Sequence, residues 1–289
     1  MKIAIASGKG GTGKTTVATC LAQVLAETGL RVRYLDCDVE EPNGHLFLHP
    51  EIYESKPVTV PVPEVDREKC VGCGLCAKIC QYAAIACVKK KVVTFPELCH
   101  GCGGCARVCP AGAIREVGRG IGVAETGRSC KIDFAQGCLR VGEAMSPSLI
   151  RQVRDIPTGA ELDIIDAPPG TSCPAITAIR GADFVLLVTE PTPFGLNDLA
   201  LALDMVRELD IPRAVVVNRH EDENLSARKF CSERHVQIAA EIPDDRRVAE
   251  AYSQGLLPVI ALPEYRPYFL DLWANVNKLA TGTPGKEPA

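Results

Sequence analysis

The stretch KIAIASGKGGTGKTT (residues 2–16) joins a short apolar segment, a glycine-rich turn and the first residues of a helical pattern. Its residues 8–15 satisfy the spacing G-x-x-x-x-G-K-[ST]. Glycines let the backbone approach phosphate oxygens, and the N–H groups at the start of the next helix favour negative charge. The sequence therefore predicts a nucleotide phosphate-binding loop, formed by Gly8, Lys9, Gly10, Gly11, Thr12, Gly13, Lys14, Thr15 and Thr16.

Two side chains of this loop have predicted contacts of their own. Lys14 is expected to reach the β- and γ-phosphates of a nucleotide, and the Thr15 hydroxyl is expected to bind Mg²⁺. A glycine-rich turn that matches the motif by chance is the alternative. It is disfavoured here because a strand pattern precedes the loop and a helical pattern follows it.

A second lysine, Lys9 in KGGTGKT, gives the loop a more specific likeness. It resembles the deviant Walker A motif of the ATPase family that includes septum-site-determining, chromosome-partitioning, cluster-carrier and nitrogenase iron proteins. The resemblance implies ATP and Mg²⁺ as cofactors, and a homodimer with ATP at its interface. Lys9 would cross that interface to the partner's nucleotide and act in catalysis with Lys14. Without the resemblance, Lys9 would be a loop residue with a solvated ammonium group.

Three later segments end in polar residues that this family uses. RVRYLDCD (31–38) ends in Asp38, which the resemblance assigns to positioning or deprotonating the attacking water. In ELDIIDAPPGTSC (161–173), Asp166 would hold Mg²⁺, usually through water, and Asn218 at the end of AVVVNR (214–219) would recognise adenine. Asp36 and Asp38 could instead cap the strand end, and for Asp36 alone that interpretation suffices.

Cysteines form the second pattern in the chain. Residues 70–80 read C-x₂-C-x₂-C-x₃-C, and residues 99–109 repeat this spacing at an offset of 29. The spacing is that of bacterial two-cluster ferredoxins, in which the fourth cysteine of each run binds the other cluster. The predicted [4Fe–4S] ligands are Cys70, Cys73, Cys76 and Cys109 for cluster I, and Cys99, Cys102, Cys105 and Cys80 for cluster II.

Zinc is the alternative for these eight thiols. Structural zinc sites use two separated pairs of ligands and do not need three cysteines within seven residues. One departure from the ferredoxin pattern is Gln81, which stands where proline usually follows the fourth cysteine.

Seven further cysteines lie outside the two runs. Cys37, Cys130, Cys138 and Cys173 could gather near the nucleotide or near a further metal centre, although a buried or idle thiol is the simpler interpretation for each. The triple Lys89–Lys91 could be a docking patch for an acidic redox partner, and a solvated hairpin turn between the cysteine runs explains it as well.

The order of these motifs predicts the organisation of the chain. An ATPase begins at residues 1–63, an inserted two-cluster ferredoxin domain of α+β type occupies 64–117, and the ATPase resumes at 118–289. Alternating strands and helices predict a doubly wound, mainly parallel α/β sheet with the nucleotide at the carboxyl ends of its strands. The whole chain resembles septum-site-determining-type ATPases that carry such an insert.

Composition excludes several function classes. The chain has 289 residues, a net charge of −4 and no apolar run of membrane-spanning length, which predicts a cytoplasmic protein without stable membrane association or nucleic-acid binding. The preferred hypothesis is an ATP-driven dimer and switch cycle coupled to electron transfer or to metal-cluster assembly or delivery. Its partner would be a redox or cluster-acceptor protein, and the resemblance suggests a dinitrogenase-cofactor-type domain protein. The alternative is an ATP-dependent spatial-positioning protein.

Overall fold

The computed structural model describes residues 1–281 of the chain. The strands in this range are β1 Lys2–Ala6, β2 Val32–Asp36, β3 Glu51–Val65, β4 Ile85–Val88, β5 Lys91–Thr94, β6 Ile114–Ser129, β7 Ile132–Leu139, β8 Leu162–Asp166, β9 Phe184–Thr189, β10 Arg213–His220 and β11 Ile238–Pro243. The helices are α1 Lys14–Glu27, α2 His45–Leu48, α3 Leu75–Ile79, α4 Gly104–Arg107, α5 Ser146–Arg154, α6 Cys173–Ile179, α7 Pro193–Glu208, α8 Ser226–Glu233, α9 Arg246–Ser253, α10 Pro258–Ala261 and α11 Arg266–Thr281.

Nine of these strands form one sheet in the order β11-β10-β9-β1-β8-β2-β7-β6-β3. Pairing is parallel from β11 to β7, and it is antiparallel between β7 and β6 and between β6 and β3. The central strands are buried along their whole length, as parallel strands covered on both faces must be. The predicted doubly wound, mainly parallel α/β sheet is confirmed.

Helices cover both faces of the sheet because successive strand residues point to opposite sides. Ile3 and Ile5 of β1 belong to one core, which also contains residues of α1, α10 and α11. Ala4 and Ala6 belong to the other core, which contains residues of α5, α6, α7 and α8. The predicted phosphate-binding loop therefore connects a central strand, covered on both faces, to a helix that packs on one of them.

Strands β3 and β6 extend past the sheet as a two-stranded ribbon. Their pairing runs from Glu51–Arg128 to Val65–Ile114, whereas β6 pairs with β7 only as far as Gly122. At about 3.3 Å per residue, the eight further residues 114–121 carry the ribbon roughly 26 Å beyond that point. Strand β3 accommodates three prolines because it is the edge strand of the sheet.

The ribbon encloses residues 66–113, which contain both cysteine runs and the β4–β5 hairpin. The division of the chain into residues 1–63, 64–117 and 118–289 stays a prediction, and both of its boundaries fall inside the ribbon. The turn of the hairpin is formed by Lys89 and Lys90, at φ 49° and 67°. The hairpin interpretation of this lysine run therefore describes its conformation, and docking stays a hypothesis.

Helix α11 differs in detail from the sequence pattern. The apolar spacing of Leu270, Trp273, Val276 and Ala280 suggested the buried stripe. In the structure Val276 is buried and Trp273 and Ala280 pack partly buried against the core, whereas Leu270 is 42% exposed and its neighbour Phe269 is buried instead. The tail after residue 281, expected to be frayed, lies outside the described residues. Among the described helices, none is both long and apolar enough to cross a membrane.

Candidate functional site

A cavity of about 440 Å³ lies at the carboxyl ends of the parallel strands, next to the predicted phosphate-binding loop. That edge of the sheet is where doubly wound folds bind ligands. The predicted site residues that line it are Gly10, Gly11, Gly13, Lys14, Thr15, Thr16, Asp38 and Asn218. Gly8, Lys9, Thr12 and Asp166 are not among its lining residues.

The loop has the geometry of an anion cradle. Gly11 and Gly13 adopt φ of 80° and 88°, which side chains disfavour, and a Cβ on Gly13 would lie 2.2 Å from the Asn218 amide nitrogen. The Thr12 hydroxyl is buried without a hydrogen-bond partner among the described residues. These features, with the start of α1 directly after Gly13, fit a bound phosphate chain.

Lys14 and Asp166 form the buried centre of the site. The Lys14 ammonium donates to Asp166 Oδ1 at 2.7 Å, and the Tyr34 hydroxyl donates to Asp166 Oδ2 at 2.8 Å. Burial acts to lower the pKa of Lys14, but the carboxylates of Asp166, Asp38 and Asp36 raise it overall. Both oxygens of Asp166 are thus engaged within the chain, which fits the prediction that it acts on Mg²⁺ through water. Sequence reasoning missed Tyr34, since nothing in its strand pattern marks it as polar in function.

The two aspartates after β2 differ in their surroundings. Asp36 is fully buried and accepts the backbone N–H groups of Asp38, Asn43 and Gly44, so it orders the following loop. Its pKa is raised to about 7 by burial and by Asp166. Asp38 reaches the cavity, and burial raises its pKa to about 6. A carboxyl with that pKa can take a proton from water near neutral pH.

Lys9 does not line the cavity of its own chain. Its ammonium lies 3.6 Å from Glu190, and its side chain is 33% exposed. Glu190 also accepts a hydrogen bond from Arg219 at 2.6 Å. Glu190 and Arg219 were missed by sequence reasoning because their segments lie far from the loop in the chain.

Asn218 lies against the phosphate loop and donates its amide to the Thr12 carbonyl at 2.9 Å. The side chain therefore supports the phosphate loop in this conformation, and adenine recognition stays a prediction. Nearby, Asp245 begins α9 by accepting the Arg247 N–H, and it also accepts the Tyr265 hydroxyl at 3.0 Å. An aspartate directly before a helical pattern was the available signal for this cap.

The eight cysteines of the two runs surround two separate cavities in residues 66–113. One is lined by Cys70, Cys73, Cys76 and Cys109, and the other by Cys80, Cys99, Cys102 and Cys105. Each cavity thus takes three cysteines from one run and the fourth cysteine from the other. We call these groups the first and second cysteine sets.

The backbone repeats with the sequence. Residues 29 apart share left-handed conformations: Gly72 and Gly101 have φ of 66° and 65°, and Ala83 and Gly112 have φ of 53° and 57°. Two hydrogen bonds cross between the repeats, from Asp66 N to Ala113 O and from Phe95 N to Ala84 O, both at 2.8 Å. The crossing of the cysteine sets therefore follows from an approximate two-fold arrangement of the two halves.

The thiols are suited to thiolate-bound clusters. All cysteines of the described chain are free, and backbone N–H groups of Gly101 and Ala113 lie 3.4 and 3.3 Å from the sulfurs of Cys99 and Cys109. Among the described residues, no group of three or more His, Cys, Asp or Glu side chains could hold a single metal ion. A cluster is held from its outside by thiols spaced farther apart than the ligands of a single ion, and ligation of [4Fe–4S] clusters stays a prediction.

The four other cysteines of interest do not form one group. Cys37 is buried, Cys138 is half-buried beside Glu125, and Cys173 is exposed at the start of α6. Cys130 lies in the β6–β7 turn, at the opposite edge of the sheet, eight residues or roughly 26 Å of strand from Cys138. Cys130 therefore lies away from the nucleotide edge, which fits the simpler interpretation of an idle thiol, and binding of a further metal centre stays untested for these cysteines.

The two sites are joined through β7. Leu139 N donates to Val39 O, next to Asp38, and Arg140 N donates to Ile121 O, each at 2.8 Å. Ile121 is fully buried and forms a bulge in the β3–β6 pairing where the ribbon leaves the sheet. Residues 39–50 do not lead straight from Asp38 to the ribbon, since Glu51 begins β3 at the opposite end of the strands.

Comparisons with known proteins agree with this architecture. The CobQ/CobB/MinD/ParA nucleotide binding domain family matches residues 3–259. An uncharacterized protein of Methanocaldococcus jannaschii is 35% identical over 78% of this chain and 80% of its own length. An iron-sulfur cluster carrier protein of Pyrococcus horikoshii is 27% identical over 99% of this chain and 90% of its own length. The septum site-determining protein MinD of Pyrococcus horikoshii, solved with Mg-ADP, has the same fold, with a TM-score of 0.62 at 20% identity and 97% coverage of both chains.

Proposed function

Because this chain belongs to the CobQ/CobB/MinD/ParA family of nucleotide-binding domains, we propose that it is an ATP-hydrolysing, two-cluster iron–sulfur protein. Its ATP cycle would be coupled to electron transfer or to metal-cluster assembly or delivery. The observation that carries the proposal is the shared edge of the sheet, where the nucleotide cavity and the cysteine-bearing ribbon are joined through Val39, Leu139, Arg140 and Ile121. The predicted family is confirmed, while the ferredoxin insert stays part of the proposal.

The loop residues divide the work on ATP. Backbone N–H groups of residues 10–15 cradle the phosphates, and Lys14 neutralises charge that develops on them. Mg²⁺ would supply further charge neutralisation, held by Thr15 and, through water, by Asp166. Asp38 orients the attacking water and accepts its proton.

A homodimer with two ATP molecules at its interface is part of the proposal. The motivation is Lys9, whose ammonium pairs with Glu190 and whose side chain is 33% exposed. Release from Glu190 would let Lys9 reach the nucleotide of a second copy. Lys9 is the more exposed residue of this ion pair, so dimer formation would let it exchange Glu190 for a phosphate of the second copy's nucleotide.

The two cysteine sets would each hold a [4Fe–4S] cluster, which supplies one-electron transfer. Cys99 belongs to the buried core that continues into the ATPase, and Cys80 packs against it. The second set is therefore nearer the sheet and the first set is the outer one. A redox or cluster-acceptor protein would dock at the outer set. The cluster-carrier name of the Pyrococcus horikoshii relative supports this general setting.

The test uses protein purified anaerobically, with iron and sulfide assays, EPR and a steady-state ATPase assay. About eight iron atoms per chain are expected. Mg-ATP should change the cluster reduction potential in the wild type and should fail to do so in Lys14→Ala, because that substitution removes the main phosphate contact. Lys131→Ala, in the β6–β7 turn at the opposite edge, is the matched control.

Two results would contradict the proposal. An iron content far below eight atoms per chain, with zinc found in its place, would show that the cysteine sets are zinc sites and not cluster sites. A wild-type protein that hydrolyses ATP while neither its cluster potential nor its binding of partners responds to nucleotide would disprove the coupling.

A further inference from the structure

A buried ion pair connects the ribbon to the nucleotide edge of the sheet. Arg119 of β6 lies on the projecting part of the ribbon, and Glu143 lies in the loop between β7 and α5. Both guanidinium NH₂ groups of Arg119 donate to the two carboxylate oxygens of Glu143, Nη2 to Oε1 at 3.1 Å and Nη1 to Oε2. Their side chains are only 11% and 2% exposed. Most other ion pairs of the described chain lie at the surface, including Arg115–Glu64 on the same ribbon, which is 76% and 50% exposed.

Arg119 lies on the part of the ribbon that Cys99 of the second cysteine set packs against. The pKa of Arg119 is raised chiefly by its hydrogen bonds to Glu143, and the charges of Glu97 and Cys99 act on it as well. Cys99 Sγ lies 3.9 Å from the Pro61 carbonyl on β3, opposite Gly118 of β6. The Arg119 Nε is buried and has no hydrogen-bond partner among the described residues. The guanidinium therefore has one buried donor left over, on the residue that follows Gly118 along β6.

Glu143, the other member of the pair, lies close to the segment that contains Asp38. Glu143 lines a cavity of about 480 Å³ together with Asp38, Arg140 and Pro169. Its carboxylate also accepts the backbone N–H groups of Ala144 and Met145, which lead into α5. The position of the Glu143 carboxylate thus sets the course of residues 140–145, and Leu139 before them is bonded to Val39.

We propose that the Arg119–Glu143 pair is the positioning element that couples charge at the second cysteine set to the nucleotide site. The inference rests on the proposed function, because it needs a redox-active group on that set. The Arg119 guanidinium is held by the buried Glu143 carboxylate through both of its NH₂ groups, and its buried Nε would interact with a group bound on the second set. Negative charge added there by a low-potential reductant would attract the Arg119 guanidinium and weaken its hold on Glu143. Residues 140–145 and the adjoining Asp38 segment then change position.

A purely structural role is the competing explanation, in which the pair only fastens the ribbon to the ATPase. Both roles predict that loss of the pair lowers stability. They differ in the linkage between the sites, since coupling by this pair must be reciprocal: nucleotide shifts the reduction potential by the same factor by which reduction shifts nucleotide affinity.

The experiment is an EPR-monitored titration of the holoprotein with dithionite, with and without a non-hydrolysable Mg-ATP analogue. Wild type, Glu143→Gln and Glu64→Gln are compared, the last being the exposed matched control on the same ribbon. A tenfold coupling corresponds to a shift of about 59 mV for a one-electron couple. We expect the nucleotide to shift the reduction potential in the wild type and in Glu64→Gln. In Glu143→Gln, this shift should be smaller by at least half.

Iron content and thermal unfolding are measured on each variant. If Glu143→Gln does not retain about eight iron atoms per chain, Arg119→Lys carries the test, because it keeps the charge but loses the two-pronged contact. It should then show the reduced shift. A full wild-type shift in the variant that carries the test, Glu143→Gln or Arg119→Lys, overturns this inference while the proposed function stands. No shift in the wild type overturns the proposed function and this inference together.

Discussion

At the residue scale, Asp166 shows how a fully buried carboxylate is kept in place. Its two oxygens accept hydrogen bonds from Lys14 and Tyr34, so no lone carboxylate is left in an apolar core. The P-loop lysine is thus held by the chain itself before any phosphate binds. The nucleotide has to compete with Asp166 for Lys14, which makes the Lys14–Asp166 contact a point where binding can change the site.

Tyr34→Phe tests this arrangement. The change removes the donor to Asp166 Oδ2 while keeping the ring stacked on Phe134. It leaves a buried acceptor unsatisfied, so the free energy of unfolding should fall by about 1–3 kcal/mol. Urea unfolding measures this, and Tyr53→Phe, at a 71% exposed tyrosine, is the control. Equal stability of the Tyr34→Phe protein and the wild type would show that the hydroxyl contributes nothing.

The pH dependence of ATP hydrolysis should report on Asp38. Its pKa is raised to about 6, first by burial and also by the charges of Glu40 and Glu41. The ionised form is the one that accepts a proton, so the rate should fall as the pH drops through about 6. Glu40→Gln removes a negative charge, lowers the pKa of Asp38 and moves this acidic limb to lower pH.

A pH–rate profile of kcat checks the direction of the shift. The control is Glu51→Gln, at an exposed carboxylate on the opposite edge of the sheet. An acidic limb at the same pH in the wild type and Glu40→Gln, or the same shift in both variants, would rule out Asp38 as the titrating group.

At the element scale, the ribbon depends on close packing where β6 leaves the sheet. A Cβ on Gly122 would lie 2.4 Å from the Cys138 carbonyl oxygen, whereas a Cβ on Gly120 would meet nothing within 4 Å. Both glycines lie on β6, on either side of the bulge at Ile121. Only Gly122 is therefore required by its neighbours.

Gly122→Ala should consequently lower stability by about 1–3 kcal/mol, because the backbone of β7 has to move away. Gly120→Ala should be neutral. Urea unfolding followed by circular dichroism compares the two with the wild type. The same loss of stability in both variants would mean that strand flexibility, and not the close approach at Gly122, is responsible.

Double substitutions test the crossed cysteine sets. If the sets bind clusters as the cavities suggest, Cys70→Ser with Cys109→Ser removes one cluster, and Cys99→Ser with Cys109→Ser removes both. The iron content should then fall from about eight atoms per chain to about four in the first double variant and to about zero in the second. Cys87→Ser, at a half-buried thiol outside both sets, should leave eight. Iron losses in the opposite order would show that each run binds its own cluster.

Local patterns predicted most strands and helices of the nucleotide-binding domain, because a buried strand, a glycine loop and a helix are each specified by adjacent residues. Residues 2–16 and 161–173 fall in this class. The Arg119–Glu143 pair and the Glu190 contact of Lys9 were not predictable, since each depends on which distant segments the sheet order brings together. The side of α11 that is buried was misjudged at Leu270 for the same reason, as two apolar faces of the helix were almost equally consistent with the spacing.

At the scale of the whole molecule, the order of the strands explains why two different sites share one edge. The parallel strands end there with the nucleotide cavity, and the antiparallel β6 and β3 carry residues 66–113 outward from the same edge. The chain leaves the edge after Asp38, returns to the opposite edge at Glu51 and comes back as β3. The insertion is therefore distant from Asp38 along the chain but adjacent to it through β7.

The central claim is that the nucleotide site and the cysteine sets influence one another. The most direct measurement is the equilibrium affinity of the wild-type holoprotein for a fluorescent, non-hydrolysable Mg-ATP analogue, with the clusters oxidised and then reduced by dithionite under EPR control. The account predicts a difference between the two redox states within the roughly 5–150-fold range of coupled sites. The same affinity in both states, with reduction verified in the same samples, would contradict it.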